Sequence, residues 1–489
     1  MSSSLASTWP VDLRVPPRKF PLVVGGLVVL FFGLGLLINL PIYVLAALPI
    51  AAALGLWIMQ SGKIATFVFI ACGCMLAFGK GTTNSATAGG GFDLAMAGIF
   101  SLVTMVWIGK LLIVERRSFT YDPAQLLAVS YTVWGLFIGI GGMLWWNNPA
   151  LDWAREFFIL CPIVLIPAFY ERFFPADSEH ERHLHRFAFV AAILVMVWAT
   201  ARYAINIATA AYAYQIGRFT FDTSASIIVL LVCFAFTLHR VKWIPMYVRI
   251  ALASFCVGTL VIASYRTIWA ASVLSVIVLF LIAPRTVWSS GLRFLLILGG
   301  VLASIGTYMF FQVKIFQVFV MMQYQRLLSS TELKTDPSLV NRYIETDIVW
   351  DYIKGSPIVG YGFGAKFQLF DWLLGMSFDY SYSHNGFFFV AFKTGIVGFL
   401  LIFTAYFWFM YKGFRIARDL TESPRVRALA GVGFCYLLCM LVSNYTLNIF
   451  AERNVLIWVT LFWGFFLSRE IAKKKKANSE ASTEVATLS

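Results

Sequence analysis

Charge is scarce in this chain, and negative charge is scarcest. Only 13% of its 489 residues are Asp, Glu, Lys or Arg, and 24 acidic side chains stand against 38 basic ones. A soluble protein of this length needs far more polar surface, so a water-soluble multidomain enzyme is excluded. The seven cysteines lie almost wholly inside apolar stretches. They lack C-x-x-C spacing and neighbouring histidines, which argues for small buried side chains rather than a zinc site. Strict polar–apolar alternation is missing as well, and that excludes a membrane barrel in favour of helices. The basic surplus comes without a basic helix or RNA-type motif, so nucleic acid is not an expected partner.

What the chain has in abundance is lipid-length apolar sequence. Runs such as 20–38, 94–114, 246–264 and 428–442 are nearly uncharged, and about 20 such residues cross a hydrocarbon core. The pattern predicts an all-α polytopic membrane protein, a bundle of about fourteen transmembrane helices in a lipid bilayer. The crossings are expected at 20–38, 41–59, 64–79, 93–114, 124–145, 155–170, 187–206, 224–238, 246–264, 267–283, 292–312, 386–411, 428–447 and 454–468.

With the N-terminus inside, the inner loops collect most of the short-loop base, including Arg116, Arg117, Arg182, Arg240, Arg285, the stretch 412–427 and Lys473 to Lys476. That is the positive-inside pattern, and it returns the C-terminus to the cytoplasm. Segment 1–19 is read as cytoplasmic, 20–311 as the first part of the bundle and 312–385 as one large periplasmic loop with short helices. Residues 386–468 complete the bundle, and 469–489 form a basic tail expected to be disordered.

This topology gathers polar residues on the outer side. Arg155, Arg202, Arg218, Arg266, Arg326, Arg342, Arg453 and His384 fall in outer loops or at outer helix ends. Arginine at a helix end can snorkel, but Arg266 sits in a tight junction between two apolar runs, where charge usually faces a cavity or ligand. Its planar fork suits phosphate better than lysine's point charge. His384 is the one histidine assigned outside, and an imidazole near neutrality suits general-base work. Asp347 and Asp351 lie four apart in a predicted helix over 337–353 and read as solvated partners of basic residues.

The order of these elements resembles a known family. Arg342, Trp350, the turn Pro357-Ile-Val-Gly360-Tyr-Gly362-Phe-Gly364, the sequence Ser383-His384-Asn385-Gly386 and Lys393-Thr-Gly395-Ile-Val-Gly398 are similar to the signature region of the bacterial O-antigen ligase and polymerase superfamily. Upstream, Ser264-Tyr265-Arg266 resembles its serine-arginine element, and Gly217-Arg218-Phe219-Thr220-Phe221-Asp222 its preceding one. The resemblance spans roughly 210–400. The chain departs from it at Lys393, where members often carry an acid, and near Thr223–Ser224, where asparagine is common.

The resemblance implies a membrane glycosyltransferase of the inner (cytoplasmic) membrane with a periplasmic site. It implies a polyprenyl-diphosphate-linked glycan donor, a glycan or lipid A core acceptor, and a chain-length regulator as an optional partner. In this reading His384 is the catalytic base. Arg218, Arg266 and Arg342, with Arg155 and Asn385, bind the diphosphate or substrate, and no metal or cofactor is called for. The crossing number and large loop favour a repeat-unit polymerase for O-antigen or exopolysaccharide, with O-antigen ligase as the alternative. A lipid-linked oligosaccharide flippase, a reading of another class, would want polar residues at mid-membrane, and these are few.

Overall fold

The computed structural model describes residues 122–164, 166, 186, 188–201, 223–263, 265–329, 337–371 and 376–488. The four expected crossings before residue 121, segment 1–19, Arg202 and Arg218 lie outside these residues. Helices account for nearly all of the rest: α1 (Pro123–Trp145), α2 (Ala150–Phe157), α3 (Ala188–Ala201), α4 (Thr223–Leu238), α5 (Met246–Ala263), α6 (Arg266–Ile282), α7 (Trp288–Gln312), α8 (Lys314–Ser329) and α9 (Pro337–Gly355). After the strands β1 (Phe367–Asp371) and β2 (Met376–Tyr380) come α10 (Gly386–Arg418), α11 (Pro424–Ser443) and α12 (Arg453–Leu488). Among the described residues, six segments are long and apolar enough to cross a membrane: Pro123–Trp145, Met246–Ala263, Arg285–Gln312, Gly386–Arg418, Pro424–Ser443 and Val455–Asn478. Helices α3, α4 and α6 are apolar but shorter.

Local sequence sets the helix starts. Asp122 caps α1 by accepting from the Ala124 N–H at 2.9 Å, with Pro123 as first residue, and Ser423 caps α11 ahead of Pro424 in the same manner. Both place a short acceptor before a proline that needs no donor. Helix α4 is buried on every side, the mark of a central helix. It packs against α5, α7 and α11, while α10 packs on α1 and α11. Two of its hydroxyls have partners within the bundle: Ser226 accepts from Thr259 of α5 at 2.9 Å, and Thr237 donates to the Cys233 carbonyl at 2.9 Å.

The structure differs from the sequence expectation in three places. Where short helices alone were expected, β1 and β2 pair antiparallel, with Phe367 opposite Tyr380 and Leu369 opposite Phe378. Phe367 buries itself with Val349 and Ile353 of α9 and Phe392 of α10, so an alternating apolar strip finds a face to cover. Second, the tail expected to be disordered continues α12 to Leu488. It is rich in Ala, Lys and Glu, all good helix formers.

Third, Lys412 does not open an inner loop. Helix α10 runs to Arg418, and Lys412 is buried within it, paired with Asp122 at 2.6 Å and with Glu470. Further contacts gather at that end: Arg469 pairs with Glu422 at 2.9 Å and Lys473 with Asp419. The opposite end of the bundle holds the α5–α6 junction, the start of α10 and the α11–α12 turn.

Candidate active site

The site is built around a break in α10. At Gly395 the backbone has φ 63° and ψ −172°, a region that essentially only glycine occupies. The break takes several backbone groups out of the helical ladder, and each must find another partner. The Tyr361 N–H donates to the Phe392 carbonyl at 2.9 Å and the Gly362 N–H to that of Lys393 at 2.8 Å. The Trp134 indole of α1 donates to Thr394 at 2.9 Å. In return, the Ile396 and Val397 amides donate to Pro357 and Ile358 at 2.9 and 3.4 Å. The glycine-rich turn is thus a plug for the broken helix. A Cβ on Gly395 would stand 2.0 Å from the Ile358 oxygen, and one on Gly360 would stand 2.6 Å from the Gly395 nitrogen.

Lys393 explains its own departure from the family pattern. Its side chain is fully buried, and its ammonium donates to Glu156 of α2 at 3.0 Å and to the Ala365 carbonyl at 2.5 Å. The other Glu156 oxygen accepts the Gly364 N–H at 2.7 Å. The acid comes from a distant part of the chain, and the pair fastens α2, α10 and the glycine turn together. Asp152 to Lys366, at 2.8 Å, adds a second tie between α2 and the same segment.

His384 lies at the start of α10, just before its cap. Asn385 is buried, and its side-chain oxygen accepts from the Phe387 and Phe388 amides at 3.1 and 3.3 Å. The Ser383 carbonyl accepts from the Asn448 side-chain Nδ2 at 3.1 Å, and the Gly386 N–H donates to the Asn444 carbonyl at 2.8 Å. Held by this frame, the His384 side chain stays half-exposed. Its Nδ1 is 2.7 Å from Glu345 Oε2, and its backbone N–H donates to Glu345 Oε1 at 2.6 Å. Tyr382 packs edge-on against the imidazole at 5.3 Å between centroids. Burial first, then the charge of Glu452, push the Tyr382 phenol well above its usual range, with Tyr265 and Glu345 acting in the same direction.

The arginines expected to act together divide into three groups. Arg342 is on α9, three residues before Glu345, so both sit on one side of that helix. Arg266 opens α6. The adjacent Thr267 hydroxyl bonds Thr446 at 2.7 Å, on the same α11–α12 turn whose Asn448 holds Ser383. The structure therefore brings Arg266, Arg342, His384 and Asn385 to one end of the bundle. Arg155 is carried by α2, beside Glu156, and its backbone alone is described. Arg218 lies outside the described residues. Asp351 pairs with Lys354 at 2.5 Å, and both are exposed, in keeping with the solvated role read from sequence.

Sequence reasoning missed Glu345 and Glu156. Glu345 had a signal, since it follows Arg342 by one turn of a predicted helix. Glu156 had none, because its partner Lys393 is 237 residues away.

Residues 250–403 match the family model described as O-antigen ligase. The match runs from α5 through the broken part of α10 and contains Arg266, Arg342, the glycine turn, His384, Asn385 and Lys393. No curated protein matches the chain. This matched segment supports a place in the O-antigen ligase and polymerase superfamily, and the apolar helices around it are those of a membrane protein.

Proposed function

We propose that the chain is an inverting glycosyltransferase that takes its glycan from a polyprenyl-diphosphate donor at the periplasmic face. The observation that carries this reading is a half-exposed imidazole on a rigid frame, at the bundle end that also holds Arg266 and Arg342. The acceptor hydroxyl oxygen attacks the anomeric carbon, and the bond from that carbon to the diphosphate oxygen breaks. The diphosphate leaves with the electron pair, and the hydroxyl proton passes to His384. One displacement inverts the carbon. Charge grows on the leaving diphosphate, and in this reading Arg266 and Arg342 neutralise it without a metal, together with Arg218 and Arg155, whose roles rest on the sequence alone. Asn385 acts here as a positioning residue, since its oxygen is committed to the helix cap.

Sidedness is supported by charge. The opposite end carries Arg415, Arg418, Arg425, Arg427, Arg469 and Lys473, as a cytoplasmic face should. The sizeable 312–385 segment and the expected crossing number favour repeat-unit polymerisation, with the growing glycan as acceptor. Ligation to the lipid A core is the second reading, favoured by the description of the matching family. The test is His384→Ala: polymer or ligated product should be lost while the protein accumulates in the membrane as before. Near-normal product would return His384 to a structural role.

A further inference from the structure

The geometry points to Glu345 as the positioning residue that fixes the tautomer and orientation of His384, leaving Nε2 as the proton acceptor; this rests on the reading of His384 as general base. Glu345 grips one residue at two points. Oε1 takes the His384 backbone N–H at 2.6 Å, and Oε2 lies 2.7 Å from Nδ1. A carboxylate can only accept, so the neutral ring must carry its proton on Nδ1 to make that bond. The lone pair is then on Nε2. Glu345 is 8% exposed and His384 49% exposed at the side chain. The carboxylate is thus shielded, while the ring faces the side from which an acceptor can come.

The two contacts have separable consequences. The bond to the backbone N–H holds the loop in place. The bond to the ring selects the tautomer and places a negative charge beside the imidazolium that forms when Nε2 takes the hydroxyl proton. Arg342 sits one turn earlier on the same helix. Helix α9 would therefore set the base on one residue and approach the leaving group with another.

Kinetics of Glu345→Gln and Glu345→Asp separate this role from a purely structural one. Glutamine keeps the length and an oxygen for the His384 amide, but turns an NH2 toward Nδ1 and drives the ring proton to Nε2. Aspartate keeps the charge but shortens the reach. The positioning role predicts Glu > Asp ≫ Gln, with kcat for Gln down by about a hundredfold or more and KM for the lipid-linked donor unchanged. Glu345→Asp should recover to within about tenfold of wild type.

A loop anchor alone predicts the reverse, with Gln close to wild type and Asp the poorer variant, and that order would overturn the proposal. Failure of Glu345→Gln to accumulate in the membrane would also count against it, since the amide contact is kept in that variant. The parallel His384→Ala measurement keeps the two readings apart. An active His384→Ala protein overturns the general base itself, whereas an inactive one beside an active Glu345→Gln protein overturns only the role of Glu345.

Discussion

Removing either partner of the Lys393–Glu156 pair should be costly, and removing both should be cheap. Lys393 is buried completely, and its ammonium has Glu156 and the Ala365 carbonyl as partners. Glu156→Gln keeps an oxygen for the Gly364 amide but leaves an uncompensated charge in the bundle, which costs about 3 to 5 kcal/mol. Lys393→Met strands a carboxylate that is 13% exposed and still bonded to Gly364, so its cost should fall at the lower end of that range. The double variant removes both charges and leaves chiefly the Ala365 carbonyl to satisfy, a penalty of about 1 to 3 kcal/mol.

The thermodynamic cycle should therefore show strong favourable coupling, about 3 kcal/mol or more. Detergent-titrated unfolding followed by tryptophan fluorescence measures it, and transfer activity provides a second readout. The pair fastens the glycine turn into the break of α10, so each single variant should lose more than about tenfold in activity, and the double should regain most of it. Singles within about 1 kcal/mol of wild type, or additive effects in the double, would refute the reasoning.

The arginine assignment predicts that lysine is a poor substitute. Arg266→Lys, Arg342→Lys and Arg218→Lys should each cost about a hundredfold in rate, or about 3 kcal/mol, because the charge survives but the two-pronged hydrogen bonding does not; full activity in all three would show that charge alone suffices. His239, in the turn after α4, is 7% exposed, and its pKa is lowered from 6.5 to about 4, first by burial and then by Arg427. The folded protein keeps this ring neutral while the unfolded chain protonates it. Its contribution is therefore present above about pH 6.5 and is lost as pH falls toward 4, by about 3 kcal/mol at most. His239→Gln should lose less stability than wild type between pH 7 and pH 4 in thermal unfolding; equal losses would contradict the assignment.

The helices were legible in the sequence because a span of apolar residues is a local property. Expected crossings 124–145 and 246–264 return as α1 and α5, both long enough to span, while 267–283 returns as the shorter apolar helix α6. The glycine motif was recognisable too, but not its purpose, since plugging a break 35 residues later is a matter of tertiary hydrogen bonding. Lys412 was misplaced into a loop because charge near a helix end reads as exposed until its partners, Asp122 and Glu470, are known. The β-hairpin was hidden because Phe367 and Phe378 alternate for only a few residues beside a longer helical pattern. Glu345 was the one missed residue within reach of the sequence, on the same turn-spaced face as Arg342.

The central claim is direct transfer from a lipid diphosphate by His384 and arginines. The measurement that tests it is the purified full-length protein in liposomes, given a synthetic polyprenyl-diphosphate oligosaccharide, with product length and anomeric configuration read in the presence of EDTA. Lengthened glycan with inverted linkage, undiminished by EDTA and absent with His384→Ala, is the predicted result. Activity lost in EDTA and restored by a divalent ion, or a retained anomeric configuration, would contradict it.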